Sequence, residues 1–92
     1  MDSQLVTKKV YIRNELGLHA RPAALLAQTA NDFQSDIFFA LDGSEVNAKS
    51  VLDILSLAAA KGRAITVRAE GIDAESAVQE LEKYFLDGFG EE

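Results

Sequence analysis

The sequence predicts an α+β fold: an open-faced sandwich in which a four-stranded antiparallel sheet is covered on one face by three helices. Three observations carry this. Short segments alternate apolar and polar residues, the period of a half-buried strand. Between them lie stretches whose apolar residues recur at helical spacing. Their order is strand-helix-strand-strand-helix-strand-helix, so amphipathic helices are available to cover one sheet face. The 92 residues make one domain, 1–92, with a core spanning about residues 5–88.

Each element has its own warrant. In Lys9–Arg13, Val10 and Ile12 share one face while Lys9, Tyr11 and Arg13 share the other, which reads as a strand. Asn14–Gly17 reads as a loop. From Pro22 to about Asn31, Ala23, Leu26, Ala27 and Ala30 recur at helical spacing, and the single proline sits at the helix start, where its missing N–H is harmless. Ile37, Phe39 and Leu41 alternate as a second strand, Asp42-Gly43 is a tight hairpin signal, and Ser44–Asn47 is the return strand. Phe33, Phe38 and Phe39 are expected in the core or on a strand face.

Ser50 opens the second helix, with Ser50-x-x-Asp53 resembling a capping box with a shorter acid. Gly62 is expected to end that helical region in a left-handed cap. Ile65, Val67 and Ala69 alternate with Thr66, Arg68 and Glu70 as the last strand, broken by Gly71. Asp73 is expected to cap a third helix with the apolar stripe Ala74, Ala77, Val78, Leu81 and Phe85, and Gly88 stops it. Its acids Glu75, Glu80 and Glu82 form a solvated face, and the Glu91-Glu92 tail is expected to be loose.

Composition removes several function classes. A chain this short buries only roughly 60–65% of its unfolded surface, which leaves no room for a deep cofactor cavity. With no cysteine there are no disulfides, thiolate metal sites or cysteine nucleophiles. Fifteen acidic residues against nine basic ones give a net charge of −6, without the basic footprint of a nucleic-acid binder. The apolar runs, such as Ile37–Leu41, fall far short of a membrane span, and the MDSQLVTKK start lacks signal-peptide character, so a cytoplasmic protein is expected. No Walker-type GxxxxGK[ST] and no G-x-S-x-G motif is present.

The chemistry converges on the only histidine, His19, in Gly17-Leu18-His19-Ala20-Arg21-Pro22. It lies at a helix entry, where unpaired N–H groups and the positive dipole end favour anions. Gly17 lets the backbone turn tightly and approach a ligand. Arg21 adds a permanent charge whose planar fork suits phosphate. A nucleophilic ring beside an anion cradle suits carrying a phosphoryl group on nitrogen. A metal site has little to build on, because Glu15 is the only carboxylate near His19 in sequence. Glu15 itself either tunes the charge of that site or has no role in it.

The chain resembles the HPr family, the histidine phosphocarriers of the bacterial phosphotransferase system. Gly17–Ala23 (GLHARPA) is similar to the family's active-site signature and Asn47–Leu52 (NAKSVL) to its regulatory signature, and the similarity runs from about Lys8 to Phe89. The resemblance implies that His19 accepts a phosphoryl group on Nδ1 from enzyme I and passes it to an enzyme IIA-type acceptor domain. It implies that Arg21 stabilises the phosphate while Gly17 and Pro22 shape the loop and helix start around it. It also implies a monomeric stoichiometric carrier rather than a turnover enzyme, with no cofactor and no metal. Asn14–His19 and the Tyr84–Glu92 ending look like the nitrogen-related, NPr-like branch of the family, so sugar uptake and a regulatory phosphorelay both remain open.

Ser50 is expected to cap the second helix. The family resemblance adds regulatory phosphorylation there by an HPr kinase/phosphorylase, although Asp53, one turn on, would crowd a phosphoserine. Leu57, Ile54, Ala58, Val51, Leu55 and Leu52 fan over roughly 220° of the helical wheel, where a core stripe needs about 100°. The excess is expected to form a docking patch of Val51, Leu52 and Leu55, joined, as in the family, by Leu18 and Ala20 beside His19. Two other readings are a pure interaction module, which would not need His19, and a small hydrolase using His19 as general base.

Overall fold

Alternation produces strands where it was expected, and the helices fall between them. The computed structural model describes residues 3–91. In chain order the elements are β1 (Gln4–Tyr11), α1 (Ala20–Ala30), β2 (Asp36–Leu41), β3 (Ser44–Asn47), α2 (Val51–Ser56), β4 (Ala64–Gly71) and α3 (Ala74–Leu86), followed by a 3-10 turn over Gly88–Gly90. The sheet runs β1-β4-β2-β3 with every neighbour antiparallel. This is the open-faced sandwich expected from the sequence.

Register explains which face is buried. β1 pairs with β4 so that Val10 faces Ile65, and β2 pairs with β4 so that Phe39 faces Val67 and Ile37 faces Ala69. These six residues form one inward stripe, and all six are buried. Against them pack Ala23, Leu26, Ala27 and Ala30 of α1, Ile54 of α2, and Ala74, Ala77, Val78, Leu81 and Phe85 of α3. Phe39 meets Phe85 edge to face, with ring centroids 6.0 Å apart, an arrangement that aromatic quadrupoles favour. On the opposite face Phe38 supports the Arg68 guanidinium, 4.4 Å from its ring centroid, while Glu45 clamps the same guanidinium at 2.9 and 2.8 Å.

Several boundaries differ from the sequence reading. β1 starts at Gln4 and ends at Tyr11, so Ile12 and Arg13 follow it; Ile12 remains buried and bonds through its backbone to Arg63 and Gly62. α1 begins at Ala20 rather than Pro22, which places the proline third in the helix, still among the N–H positions that lack an intrahelical partner. α2 ends at Ser56 with Leu57 as C-cap and Ala58 at φ 49, so Gly62 belongs to the next turn and does not cap it.

Asp73 stands at the head of α3 but its side chain does not cap the helix. Its carboxylate instead accepts hydrogen bonds from the backbone N–H groups of Gln34 and Ser35, each 2.9 Å away, and from the Ser35 hydroxyl at 2.5 Å. Those bonds hold its carboxyl below the ordinary carboxylate range, with the Ser35 hydroxyl the largest cause.

The largest departure is at the end of the chain. After α3, Gly88, Phe89 and Gly90 all adopt left-handed backbone conformations, at φ 61, 59 and 70. Two glycines make such a reversal cheap. Phe89 drops into the core, 3% exposed, with its ring edge-on to Phe85 at 5.2 Å and stacked on Tyr84 at 6.4 Å. Glu91 is therefore not loose: the reversal carries it back to the start of α1, and it is half-buried. Glu92, the other residue of the expected loose tail, lies outside the described residues.

Candidate functional site

The loop before α1 is built by its own backbone. Asn14, almost fully buried, donates from Nδ2 to the Gly17 carbonyl at 2.8 Å, and the Gly17 N–H returns a bond to the Asn14 carbonyl at 3.2 Å. The Leu18 N–H donates to the Ala59 carbonyl at 3.0 Å, tying the loop to the segment after α2. Gly17, at φ 67, lies so close to that segment that a Cβ there would sit 2.3 Å from the Ala59 oxygen. The family-like glycine is thus required by close approach as well as by conformation.

His19 is the N-cap of α1 in extended geometry, and its carbonyl accepts the Ala23 N–H at 3.0 Å. Its side chain makes no capping bond, which leaves the ring free for another partner. That partner is Glu91, whose two carboxylate oxygens lie 2.9 and 3.0 Å from Nε2. Arg21 donates from Nε to the same carboxylate at 3.0 Å and from Nη2 to the Phe89 carbonyl. Asn14 Nδ2 completes the set at 2.9 Å. Three side chains from the loop and the first turn of α1 thus converge on one carboxylate at a positive helix end.

The electrostatics follow. The Glu91 carboxyl is pulled down to about 2, first by its hydrogen bond to His19 and then by that to Asn14; burial pushes the other way, and the Arg21 hydrogen bond adds a smaller downward pull. A deprotonated carboxylate only accepts, so the hydrogen bond requires the proton on Nε2. Among the described residues no hydrogen bond engages Nδ1 of His19. Pro22 is buried beneath the first turn while Ala20 and Arg21 face solvent. Among the described residues no group of three His, Cys, Asp or Glu side chains could hold a metal ion.

Other residues singled out from the sequence divide. Glu15 does not face His19; it pairs with Lys61 at 2.5 Å, and that hydrogen bond lowers its pKa. Ser50 caps α2 as expected, its hydroxyl accepting the Asp53 N–H at 3.2 Å. The Asp53 carboxylate turns away to the Asn47 N–H, also at 3.2 Å. Asn31, at the far end of α1 from His19, bonds the Lys49 carbonyl beside Ser50. With Ala59 touching the His19 loop, α2 therefore runs antiparallel to α1, and Ser50 sits near the end of α1 opposite His19.

The apolar patch is smaller than expected. Leu52 is 78% exposed and Val51 is 37% exposed, but Leu55 is half-buried against the core. Leu18 does not belong to a surface patch: at 4% exposure it is a core residue that anchors the loop. Leu16, which sequence reasoning passed over, is 72% exposed in the same loop. Glu91 was missed altogether, since it lies 72 residues from His19 in sequence. The only signal for it was the Gly88-Phe89-Gly90 run, which marks a reversal rather than a tail.

Fold and site together define a small α+β sandwich whose lone histidine heads a helix inside an anion-binding cluster. The chain belongs to the PTS-HPr family: the family described as "PTS HPr component phosphorylation site" matches residues 6–87. It is 46% identical over 80 residues to the HPr-like protein Crh of Bacillus subtilis (strain 168), covering 87% of this chain and 94% of that protein. It is 41% identical over 88 residues to the phosphocarrier protein HPr of Xylella fastidiosa (strain 9a5c), covering 96% and 99%. Among solved structures, HPr-C-His from Thermoanaerobacter tengcongensis superposes with a TM-score of 0.91 at 44% identity, over 95% of this chain and 98% of that one. These relatives carry the names HPr and Crh, and none carries the name of the nitrogen-related branch.

Proposed function

We propose that this protein is a phosphocarrier of the phosphoenolpyruvate-dependent phosphotransferase system. His19 accepts a phosphoryl group at Nδ1 from phosphorylated enzyme I and passes it to an enzyme IIA-type acceptor. The observation that carries the reading is the state of the His19 ring. Nε2 is occupied by a carboxylate, whereas Nδ1 is free of protein partners among the described residues. Arg21, in the first turn at the anion-favouring helix end, supplies charge for the incoming phosphate. The protein acts stoichiometrically as a cytoplasmic monomer, without cofactor or metal.

The test is incubation with enzyme I and phosphoenolpyruvate, followed by intact-protein mass spectrometry at neutral and acid pH. The expected result is one added phosphate that acid removes and that His19→Ala abolishes. No added phosphate would leave a family fold without phosphohistidine chemistry.

Ser50 carries a second role in this reading, as a site for an HPr kinase/phosphorylase. Its support is that the Asp53 carboxylate is directed to Asn47 rather than to the Ser50 hydroxyl, which reduces the like-charge crowding expected from sequence. A phosphate there adds about −1.5 to −2 charge at a helix start next to Val51 and Leu52. One acid-stable phosphate, absent in Ser50→Ala, is the expected result.

The exposed Leu52 and Val51 favour a second reading, a regulatory interaction module of this family not coupled to sugar uptake. If docking alone matters, Leu52→Ser removes the cellular role while His19→Ala leaves it intact.

A further inference from the structure

We infer that Glu91 is a positioning residue for His19: its carboxylate fixes the ring with the proton on Nε2 and the lone pair on Nδ1, and neutralises the ring as it becomes phosphorylated. The inference rests on the phosphocarrier reading and deepens it.

The geometry is that of an oriented imidazole. Both carboxylate oxygens lie within 3.0 Å of Nε2, and the Glu91 side chain is itself only 18% exposed. The carboxylate is held on its other sides by Arg21 Nε at 3.0 Å and Asn14 Nδ2 at 2.9 Å, so it does not simply follow the ring. Asn14 is in turn fixed by its second bond to the Gly17 carbonyl in the same loop. The chain brings Glu91 there by a reversal anchored on Phe89, a buried residue with two aromatic neighbours. The remaining carboxylate near the loop, Glu15, is taken by Lys61.

The chemical consequence is specific. A free neutral imidazole exchanges between two tautomers, and only the one with the proton on Nε2 offers an electron pair at Nδ1. A carboxylate that can only accept selects that tautomer. It plays the part of the orienting acid behind a working histidine in a hydrolase triad. In transfer from a phosphohistidine donor, the Nδ1 lone pair of His19 forms the new N–P bond. The donor's N–P bond breaks, and its electron pair returns to the donor ring. The proton stays on Nε2 throughout, so the phosphorylated His19 ring carries positive charge. That charge faces Glu91.

The opposite role for the same contact is a resting plug, a carboxylate that competes with phosphate for Arg21. The two roles give rate effects of opposite sign. Wild type, Glu91→Ala and Glu91→Gln are compared in single-turnover phosphorylation by phospho-enzyme I, and each is labelled with 15N in its single histidine. Glu91→Ala is expected to slow transfer roughly ten- to a hundredfold, the range seen when the outer partner that orients a metal-binding histidine is removed. Its neutral ring is expected to show 15N shifts of mixed tautomers. Glu91→Gln, which keeps an acceptor without the charge, is expected to hold the Nε2–H tautomer while recovering only part of the rate.

Unchanged rate and unchanged ring shifts in Glu91→Ala would overturn the inference. Faster transfer would overturn it in favour of the plug. Failure of the wild type itself to take phosphate would instead sink the phosphocarrier reading. The tautomer comparison would still stand, since it needs no phosphate.

Discussion

Gly17 and Ala59 meet backbone to backbone: a Cβ on Gly17 would lie 2.3 Å from the Ala59 carbonyl oxygen, and the adjacent Leu18 N–H donates to that same oxygen at 3.0 Å. This contact fixes where α1 begins and therefore where His19 is presented. It also couples the histidine loop to the exit of α2, whose first turn carries Val51 and Leu52.

Gly17→Ala is therefore expected to be damaging for two reasons. The left-handed backbone costs a residue with a Cβ about 1–2 kcal/mol. The overlap with Ala59 then forces the loop to shift, because the obstacle is backbone and cannot rotate away. A loss of at least about 2 kcal/mol in urea unfolding is expected, together with slowed phosphorylation of His19. A stability unchanged within error would show that the contact is looser than described.

Arg21→Ala is expected to act on chemistry rather than on folding. The side chain is 51% exposed, and exposed ion pairs contribute about 0–1 kcal/mol. Urea unfolding should shift by no more than that. Transfer through His19 should slow, because the fixed charge beside the phosphate is gone. Arg21→Lys should recover only part of the rate, since an ammonium cannot reproduce the guanidinium fork that reaches Glu91 and Phe89 together. Wild-type transfer in Arg21→Ala would remove Arg21 from the mechanism.

The sheet, its inward stripe and the helix order were legible because they are local patterns. Val10, Ile37, Phe39, Ile65, Val67 and Ala69 announce their face by alternation alone. His19, Arg21 and Gly17 were legible because one short motif carries them. What stayed hidden depended on contacts across the chain. Asp73 occupies the position of a cap, yet its carboxylate serves Gln34 and Ser35, and no local rule distinguishes the two uses. Leu18 looks like a surface residue beside a site, but the fold turns it inward. Glu91 reaches His19 only because three successive left-handed residues and a buried Phe89 reverse the chain, and an acidic terminus by itself suggests none of this.

Asp73→Ala is expected to cost about 2 kcal/mol, because it removes the charged acceptor of the part-buried Ser35 N–H and hydroxyl, along with that of the exposed Gln34 N–H, at the entry to β2. The pH dependence has a definite sign. The Asp73 carboxyl lies lower in the folded protein than its ordinary value of 3.8, so its contribution is fully present above that value. It is lost as pH falls through the lowered folded-state pKa. Stability curves of wild type and Asp73→Ala should therefore lie a constant distance apart near neutral pH and converge as the solution is acidified below pH 3.8. Parallel curves down to pH 2 would show that the carboxylate is not the group responsible.

Phe89→Ala tests whether the core holds the Glu91 carboxylate at His19. Phe89 is buried, 5.2 Å from Phe85 and stacked on Tyr84, so truncation should cost about 3–5 kcal/mol. A loss of that size is a large share of a small domain's stability, so Phe89→Leu, which keeps most of the apolar volume, is the milder companion. In either folded variant the anchor of the reversal is weakened, and Glu91 should leave Nε2 for part of the time. The 15N shifts of His19 should then move towards those of Glu91→Ala, although neither substitution touches the ring. Loss of stability without any change in those shifts would separate the two: Phe89 would then be a core residue only, and the Asn14 and Arg21 bonds would suffice to hold Glu91 at the histidine.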